Sequence, residues 1–168
     1  MAQNRSAGLT WKDYILACIY SPLIIFQFIL FFFFYYNYYD LDLFAYLGWF
    51  LWILSIIFGI LPMYTFRKTG GVAKGKSYIH TTKLVDTGIY SIVRHPQYLA
   101  GLLLTFALIL LTQHWLSVLA GTIAFIAFYI DTFNADPRLI EKFGEDYRKY
   151  MARVPRLNFL LGIVRKYS

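Results

Sequence analysis

Three hydrogen-bonding side chains, Arg94, His95 and Tyr98, occur together where a polar and basic segment runs into a hydrophobic helix. Pro96 fits the first turn of that helix, because the N–H that proline lacks would have no intrahelical partner there. If the helix enters a membrane, these side chains lie at the bilayer boundary and form a candidate binding site. The same residues can instead anchor the helix by bonding lipid headgroups. Spacing alone leaves both interpretations open.

The motifs around these residues resemble those of a membrane enzyme family. Thr87-Gly-Ile-Tyr90 and Arg94-His-Pro-Gln-Tyr98 resemble the signature of membrane methyltransferases related to isoprenylcysteine carboxyl methyltransferase and phospholipid N-methyltransferases. Further along the chain, the segments 139–150 and 153–156 resemble the part of the family that follows its acidic motif. The resemblance covers roughly residues 84–157, which is less than half of the chain.

The chain departs from the family pattern at two places. The family usually has two adjacent glutamates ahead of the segment 139–150, and this chain has Ala135 and Asp136 there. Ala100 stands where the family often has glycine, and Gly101 follows one position later. The first acid is therefore missing, and the second has a shorter side chain.

The resemblance implies S-adenosylmethionine as the cofactor, bound without a Rossmann domain. It implies catalytic roles for Arg94 and Arg156. It implies cofactor binding by Tyr90, His95, Pro96, Tyr98, Leu99, Gly101 and Asp136. In such a site Asp136 would pair with the amine of the cofactor, and Arg94 or His95 with its carboxylate. Tyr98 would pack against the adenine.

Methyl transfer is an in-line displacement at an activated carbon, so alignment and exclusion of water supply much of the rate. The reaction requires no metal, and a single cysteine, Cys18, excludes a cysteine-rich metal site.

A carboxylate acceptor is already ionised at neutral pH, whereas an amine must first lose a proton. The sequence offers no evident base, which favours a carboxylate or thiolate acceptor, in the first instance an isoprenylcysteine-type carboxylate. A phospholipid amine and a small thiol stay open as acceptors. The expected partners are this lipophilic acceptor and membrane lipids, without nucleic acid or metal.

Membrane helices are the elements that must position these residues. The chain has 168 residues, of which 59% are hydrophobic, and its mean hydropathy is +0.52. This composition is too apolar for a soluble domain of this size. Four apolar runs cover residues 13–36, 43–64, 98–111 and 115–130, the last two as a tight helical hairpin near the lower limit for a span. We therefore expect an all-α, polytopic integral membrane protein with about four transmembrane helices.

The C-terminal third predicts an amphipathic helix on the cytoplasmic membrane surface. Asp136 is a suitable N-cap, and Pro137 fits the first helical position. Apolar residues, Tyr147 among them, then recur at helical spacing as far as Met151. The apolar run 157–164 is too short to cross the membrane. Residues 1–168 thus form a single membrane-embedded methyltransferase domain. Residues 1–64 supply two N-terminal spans, and 65–168 supply the cofactor-binding loop, the hairpin and the amphipathic segment.

The distribution of charge predicts the orientation in the membrane. All 16 lysines and arginines lie in the N-terminal segment, the loop between the second and third spans, or the C-terminal tail. Asp40 and Asp42 lie in the first external connection. By the positive-inside rule, both termini and the central loop are cytoplasmic. The net charge of +7 is then explained by topology and anionic lipid rather than by nucleic acid.

A second motif, at residues 70–77, matches the phosphate-binding pattern G-x-x-x-x-G-K-[ST]. A phosphate loop needs a preceding strand and a following helix, so that backbone N–H groups converge on the phosphates. The preceding element here is a membrane span, so we interpret the segment as a flexible basic loop.

Two other functions stay open at this stage. Some sterol reductases share a similar Arg-His-Pro-x-Tyr segment, so a membrane reductase that uses NADPH is one alternative. A non-enzymatic membrane protein, whose basic face recruits anionic lipid or a partner, is the other.

Overall fold

The structure of the protein is a computed structural model that describes residues 11–71 and 82–167. The described residues form helices and connecting segments, without a β-strand. Helix α1 (Trp11–Ile29) is extended by a π-helical turn (Leu30–Phe34). The α-helices that follow are α2 (Asp42–Thr69), α3 (Pro96–Thr112), α4 (Trp115–Phe143), α5 (Glu145–Arg153) and α6 (Phe159–Tyr167), with a 3₁₀ helix (Gly88–Ser91) before α3. The fold class predicted from the sequence, all-α, is confirmed.

Three helical segments are long and apolar enough to cross a membrane. They are Trp11–Phe34, Asp42–Thr69 and Trp115–Phe143, with 24, 28 and 29 residues. Helix α3 is apolar but has only 17 residues, which at 1.5 Å per residue gives about 25 Å, less than the ~30 Å of a hydrocarbon core. The described helices therefore support three spans by length and composition, rather than the expected four.

The hairpin between the last two apolar runs is as tight as predicted. Helix α3 ends at Thr112 and α4 begins at Trp115. Gln113 in the turn has a φ of 53°, and its side-chain amide donates to the Leu41 carbonyl at 2.9 Å. The turn is thus tied to the segment that precedes α2.

The prediction for the start of the C-terminal helix is wrong. Asp136 does not cap a helix, because α4 continues without interruption to Phe143 and contains Pro137 in its interior. Membrane helices tolerate an interior proline when neighbouring groups rebond the backbone carbonyl that it leaves without a helical partner. The break falls instead at Gly144, whose φ of 59° favours glycine.

The chain packs as two compact units. One contains the described residues among 58–97 and 135–167, and the other contains 11–57 and 98–134. In the second unit, small residues allow close approach: the Phe128 ring lies against Gly101, and the Ser55 hydroxyl donates to the Ala100 carbonyl at 2.8 Å. Small residues at helix contacts are typical of packing inside membranes.

The first unit has a tyrosine-rich core next to the predicted site. The buried residues of this core are Val85, Tyr90, Tyr147, Tyr150 and Val154. The hydroxyl of Tyr150 donates to the backbone carbonyl of Tyr90 at 2.6 Å, which joins α5 to the 3₁₀ helix. Residues 72–81, which include most of the segment resembling a phosphate loop, lie outside the described part of the chain.

Candidate functional site

The carboxylate of Asp136 is the centre of a buried polar cluster. Its Oδ1 atom accepts hydrogen bonds from Arg94 Nη1 at 3.1 Å, His95 Nε2 at 2.8 Å and the Tyr147 hydroxyl at 2.7 Å. Its Oδ2 atom accepts from Nε and Nη2 of Arg156, at 3.1 and 2.7 Å. One carboxylate therefore receives five hydrogen bonds from four side chains. We call these five residues the Asp136 cluster.

Burial makes the Asp136 cluster electrostatically strong. The side chains of Asp136 and Arg94 are 5% and 8% exposed, and that of Arg156 is 25% exposed. Charge-assisted hydrogen bonds of this kind are short and roughly twice as strong as neutral ones. Two guanidinium groups face one carboxylate, so the cluster carries an excess of one positive charge when His95 is neutral. It is suited to an anionic ligand group.

Backbone pairing holds the two arginine-bearing segments side by side. The amide of Arg94 donates to the Pro155 carbonyl at 3.0 Å, and the amide of His95 donates to the Arg156 carbonyl at 3.2 Å. Both segments are short links between helices, and this pairing sets the distance between their backbones. Pro96 begins α3 as predicted from the sequence. The backbone pairing ends at this residue because proline has no N–H to donate.

His95 is fully enclosed, and burial lowers its pKa below the ordinary value of 6.5, because the charged imidazolium is poorly solvated there. The hydrogen bond to Asp136 acts in the opposite direction but does not restore the pKa. A neutral His95 must carry its proton on Nε2 to donate to the Asp136 carboxylate. The imidazole therefore orients the carboxylate without adding a charge.

Tyr147 is a member of the Asp136 cluster that sequence reasoning did not assign to the site. Burial, followed by the hydrogen bond to Asp136, raises its pKa above the ordinary value of 10.0, so the hydroxyl stays protonated and donates. Sequence analysis placed Tyr147 among the apolar positions of an amphipathic helix. The available signal was chemical: a buried tyrosine, unlike a phenylalanine, needs a partner for its hydroxyl.

Four of the nine residues predicted for the site meet in the Asp136 cluster: Arg94, His95, Asp136 and Arg156. Tyr90 lies in the adjacent core, with its ring 4.7 Å from that of Phe66. Pro96 begins α3. Tyr98, Leu99 and Gly101 follow on the first turns of the same helix and belong to the other packing unit.

The hydrogen-bond donors of the Asp136 cluster fit the carboxylate of the implied cofactor better than its amine. Arg94 Nε is buried and has no hydrogen-bond partner, so a donor is available for an anion such as the cofactor carboxylate. The two oxygens of Asp136 offer about four lone pairs and already accept five hydrogen bonds, so an amine would have to compete for them. Among the described residues, no group of three or more His, Cys, Asp or Glu side chains is placed to hold a metal ion.

Comparisons with known proteins agree with the motifs. The family model described as phospholipid methyltransferase matches residues 43–146, a range that includes Arg94, His95 and Asp136 and ends one residue before Tyr147. Protein-S-isoprenylcysteine O-methyltransferase B from Arabidopsis thaliana is 26% identical over an alignment of 159 residues. The match covers 89% of this chain and 75% of the relative. No solved structure matches the chain significantly.

Proposed function

The chain belongs to the phospholipid methyltransferase family, and from this premise we propose that it transfers a methyl group from S-adenosylmethionine to a lipophilic acceptor at the cytoplasmic membrane face. The proposed acceptor is an isoprenylcysteine-type carboxylate. Family membership and the apolar helices support a membrane methyltransferase. Dependence on S-adenosylmethionine and the identity of the acceptor are the proposed steps.

The observation that carries the proposal is the joining of the two family-like arginine motifs on one buried carboxylate. Arg94 and Arg156 are 62 positions apart in the sequence, yet both bond to Asp136. When bound, S-adenosylmethionine would supply an activated methyl carbon and, at its amino-acid end, a carboxylate and an amine. We propose that Arg94, with Arg156 beside it, binds that carboxylate, since ion pairs in a buried site are specific and strong.

The other cluster members act as positioning residues in this proposal. His95 and Tyr147 donate to the oxygen of Asp136 that also receives Arg94, and so they hold the carboxylate and, through it, the guanidinium. The role predicted for Asp136 from the family, pairing with the cofactor amine, remains a proposal that requires one of its five donors to give way. The roles in cofactor binding that the family resemblance implies for Tyr90, Pro96, Tyr98, Leu99 and Gly101 remain proposals.

Acid–base chemistry favours a carboxylate as the acceptor. The two oxygens of Asp136 already accept five hydrogen bonds, so this carboxylate is not free to serve as a base. A carboxylate acceptor needs no base because it is ionised at neutral pH, whereas an ammonium acceptor must be deprotonated first. The relative's name, an isoprenylcysteine O-methyltransferase, agrees with this choice, and the family description leaves a phospholipid acceptor as the alternative.

We further propose a topology in which the termini and the central loop face the cytoplasm. The confinement of lysine and arginine to three segments supports this orientation. Helix α3 would be the fourth, short span, accommodated by tilt or local thinning. Helix α5 buries Tyr147 and Tyr150 and exposes Arg148 and Lys149, which supports an amphipathic C-terminal segment on the membrane surface.

A transfer assay with methyl-tritiated S-adenosylmethionine tests the function and the acceptor together. Purified protein in phospholipid nanodiscs should transfer tritium to a farnesylcysteine analogue, and mild base should release it as methanol because the product is a methyl ester. Tritium that appears in a phospholipid and resists base would show that the acceptor is an amine and that the proposed carboxylate acceptor is wrong. Retention of NADPH without S-adenosylmethionine would favour a reductase, and retention of neither would favour a non-enzymatic protein.

A further inference from the structure

A cavity of about 210 Å³ lies beside the tyrosine core, at the C-terminal ends of α5 and α6. It is distinct from the Asp136 cluster, because none of the five residues of that cluster lines it. The lining residues are Asp86, Ser91, Tyr150, Arg153, Val154, Arg165 and Lys166. A cavity of this size can hold a small polar group of a ligand.

The charge of the cavity is strongly asymmetric. Arg153, Arg165 and Lys166 contribute three positive charges, and Asp86 contributes one negative charge. Asp86 pairs with Arg153 through a contact of 3.3 Å, and both side chains are largely solvated, at 41% and 68% exposure. The cavity therefore has a formal excess of two positive charges, and because an ion pair this exposed is weak, Arg153 can also contribute to binding an anionic ligand.

The packing of α6 fixes the position of the backbone that carries its terminal cations. Gly162 lies directly against the backbone of Ile92, where an added Cβ would collide with the Ile92 carbonyl. At the start of α6, the side chain of Asn158 accepts a hydrogen bond from the Leu161 amide at 3.0 Å. These contacts set the register that brings Arg165 and Lys166 to the cavity.

The same helix exposes an apolar face. Leu160 and Val164 are 64% and 60% exposed, and their spacing of four residues places them on one side of the helix. A short helix that combines exposed apolar residues with terminal cations is typical of segments that lie in a membrane interface. The cavity and its cations therefore adjoin a surface suited to acyl chains.

We propose that this cavity binds the headgroup of an anionic membrane phospholipid, with the phosphate among Arg153, Arg165 and Lys166. Guanidinium groups match phosphate oxygens in geometry and charge, and the exposed face of α6 provides apolar surface for the lipid tail. The site would select anionic over zwitterionic lipid, because the choline ammonium would be repelled by the excess positive charge.

The test compares lipid retention by two matched double variants. The intact chain is purified in detergent, exposed to vesicles of phosphatidylcholine with or without phosphatidylglycerol, and the retained lipid is measured by native mass spectrometry. Arg165→Gln with Lys166→Gln removes two cavity charges. Arg148→Gln with Lys149→Gln removes two charges from exposed positions that do not line the cavity. The melting temperature in phosphatidylcholine alone serves as the control for folding.

We expect the wild type to retain phosphatidylglycerol preferentially. The cavity double variant should lose about tenfold or more of that preference, since each membrane-surface cation contributes on the order of fivefold. The control double variant should lose clearly less of the preference, because Arg148 and Lys149 do not line the cavity and do not converge on one headgroup. Equal losses in both variants, or no preference in the wild type, would overturn the proposal. If inorganic phosphate raised the melting temperature as much as phosphatidylglycerol does, the ligand of the cavity would be a free anion and the lipid proposal would be wrong. Because lipid retention is measured without methyl transfer, the result does not depend on the proposed function.

Discussion

Replacing Asp136 by asparagine should destabilise the protein strongly even without cofactor. Asparagine keeps the volume of the side chain but removes the charge and turns one acceptor oxygen into an NH₂ donor. That donor would face either the two N–H groups of Arg156 or the donors from Arg94, His95 and Tyr147. At least two hydrogen bonds are lost, and two guanidinium groups lose their counterion.

The expected cost is about 3–5 kcal/mol in the free energy of unfolding, the range found when one partner of a buried ion pair is removed. Because Asp136 lies inside α4, loss of an N-cap does not contribute to this value. Reversible unfolding of the cofactor-free protein by denaturant in detergent measures it. Asp86→Asn is the matched control, since its ion pair with Arg153 is exposed and should contribute at most about 1 kcal/mol. An Asp136→Asn protein as stable as the wild type, within about 0.5 kcal/mol, would refute the role of Asp136 as the electrostatic centre.

Three further predictions concern other parts of the chain. Burial lowers the His95 pKa below 6.5, so at mildly acidic pH the folded protein binds fewer protons than the unfolded chain. The free energy of unfolding should therefore fall as the pH drops below about 6.5, by up to about 1.4 kcal/mol per pH unit. His95→Gln should remove this slope in pH-dependent unfolding, and a slope that persists would contradict burial of a neutral imidazole. Lys76→Ala should leave methyl transfer largely unchanged, and ATP hydrolysis that disappears in this variant would show a true phosphate loop. Cysteines introduced at Ser77 and Ser168 should react with an impermeant reagent only from the cytoplasmic side, and labelling from opposite sides would exclude the proposed topology.

The long helices could be predicted from the sequence because the bilayer imposes a simple requirement. Backbone polar groups must bond within the segment, so a long apolar run becomes a helix. The start of α2 and the position of the hairpin followed from this rule, whereas α2 continues to Thr69, five residues beyond the predicted run. Helix α4 was predicted to end near Ile130 because Asp136 and Pro137 resemble a helix start in water. A membrane helix can contain both, and the chain continues through them to Phe143.

The site was only partly predictable because its contacts are distant in sequence. Local pattern and family resemblance indicated Arg94, His95, Asp136 and Arg156 individually. That the other three all bond to the Asp136 carboxylate, across separations of 20 to 42 positions, depends on the backbone pairing of two linking segments. No local pattern encodes this pairing. Tyr147 was missed for a related reason: its apolar neighbours explain its position in the helix, and only the fold brings its hydroxyl to Asp136.

The most direct test of the central claim compares S-adenosylmethionine with its decarboxylated analogue, by calorimetry in detergent. If Arg94 binds the cofactor carboxylate, the wild type should prefer the intact cofactor by about 2–5 kcal/mol, the range for truncating one partner of a buried charge pair. Arg94→Gln should bind both compounds with similar, weak affinity, while the exposed control Arg148→Gln should keep the preference. Equal affinities in the wild type, or an undiminished preference in Arg94→Gln, would contradict the account.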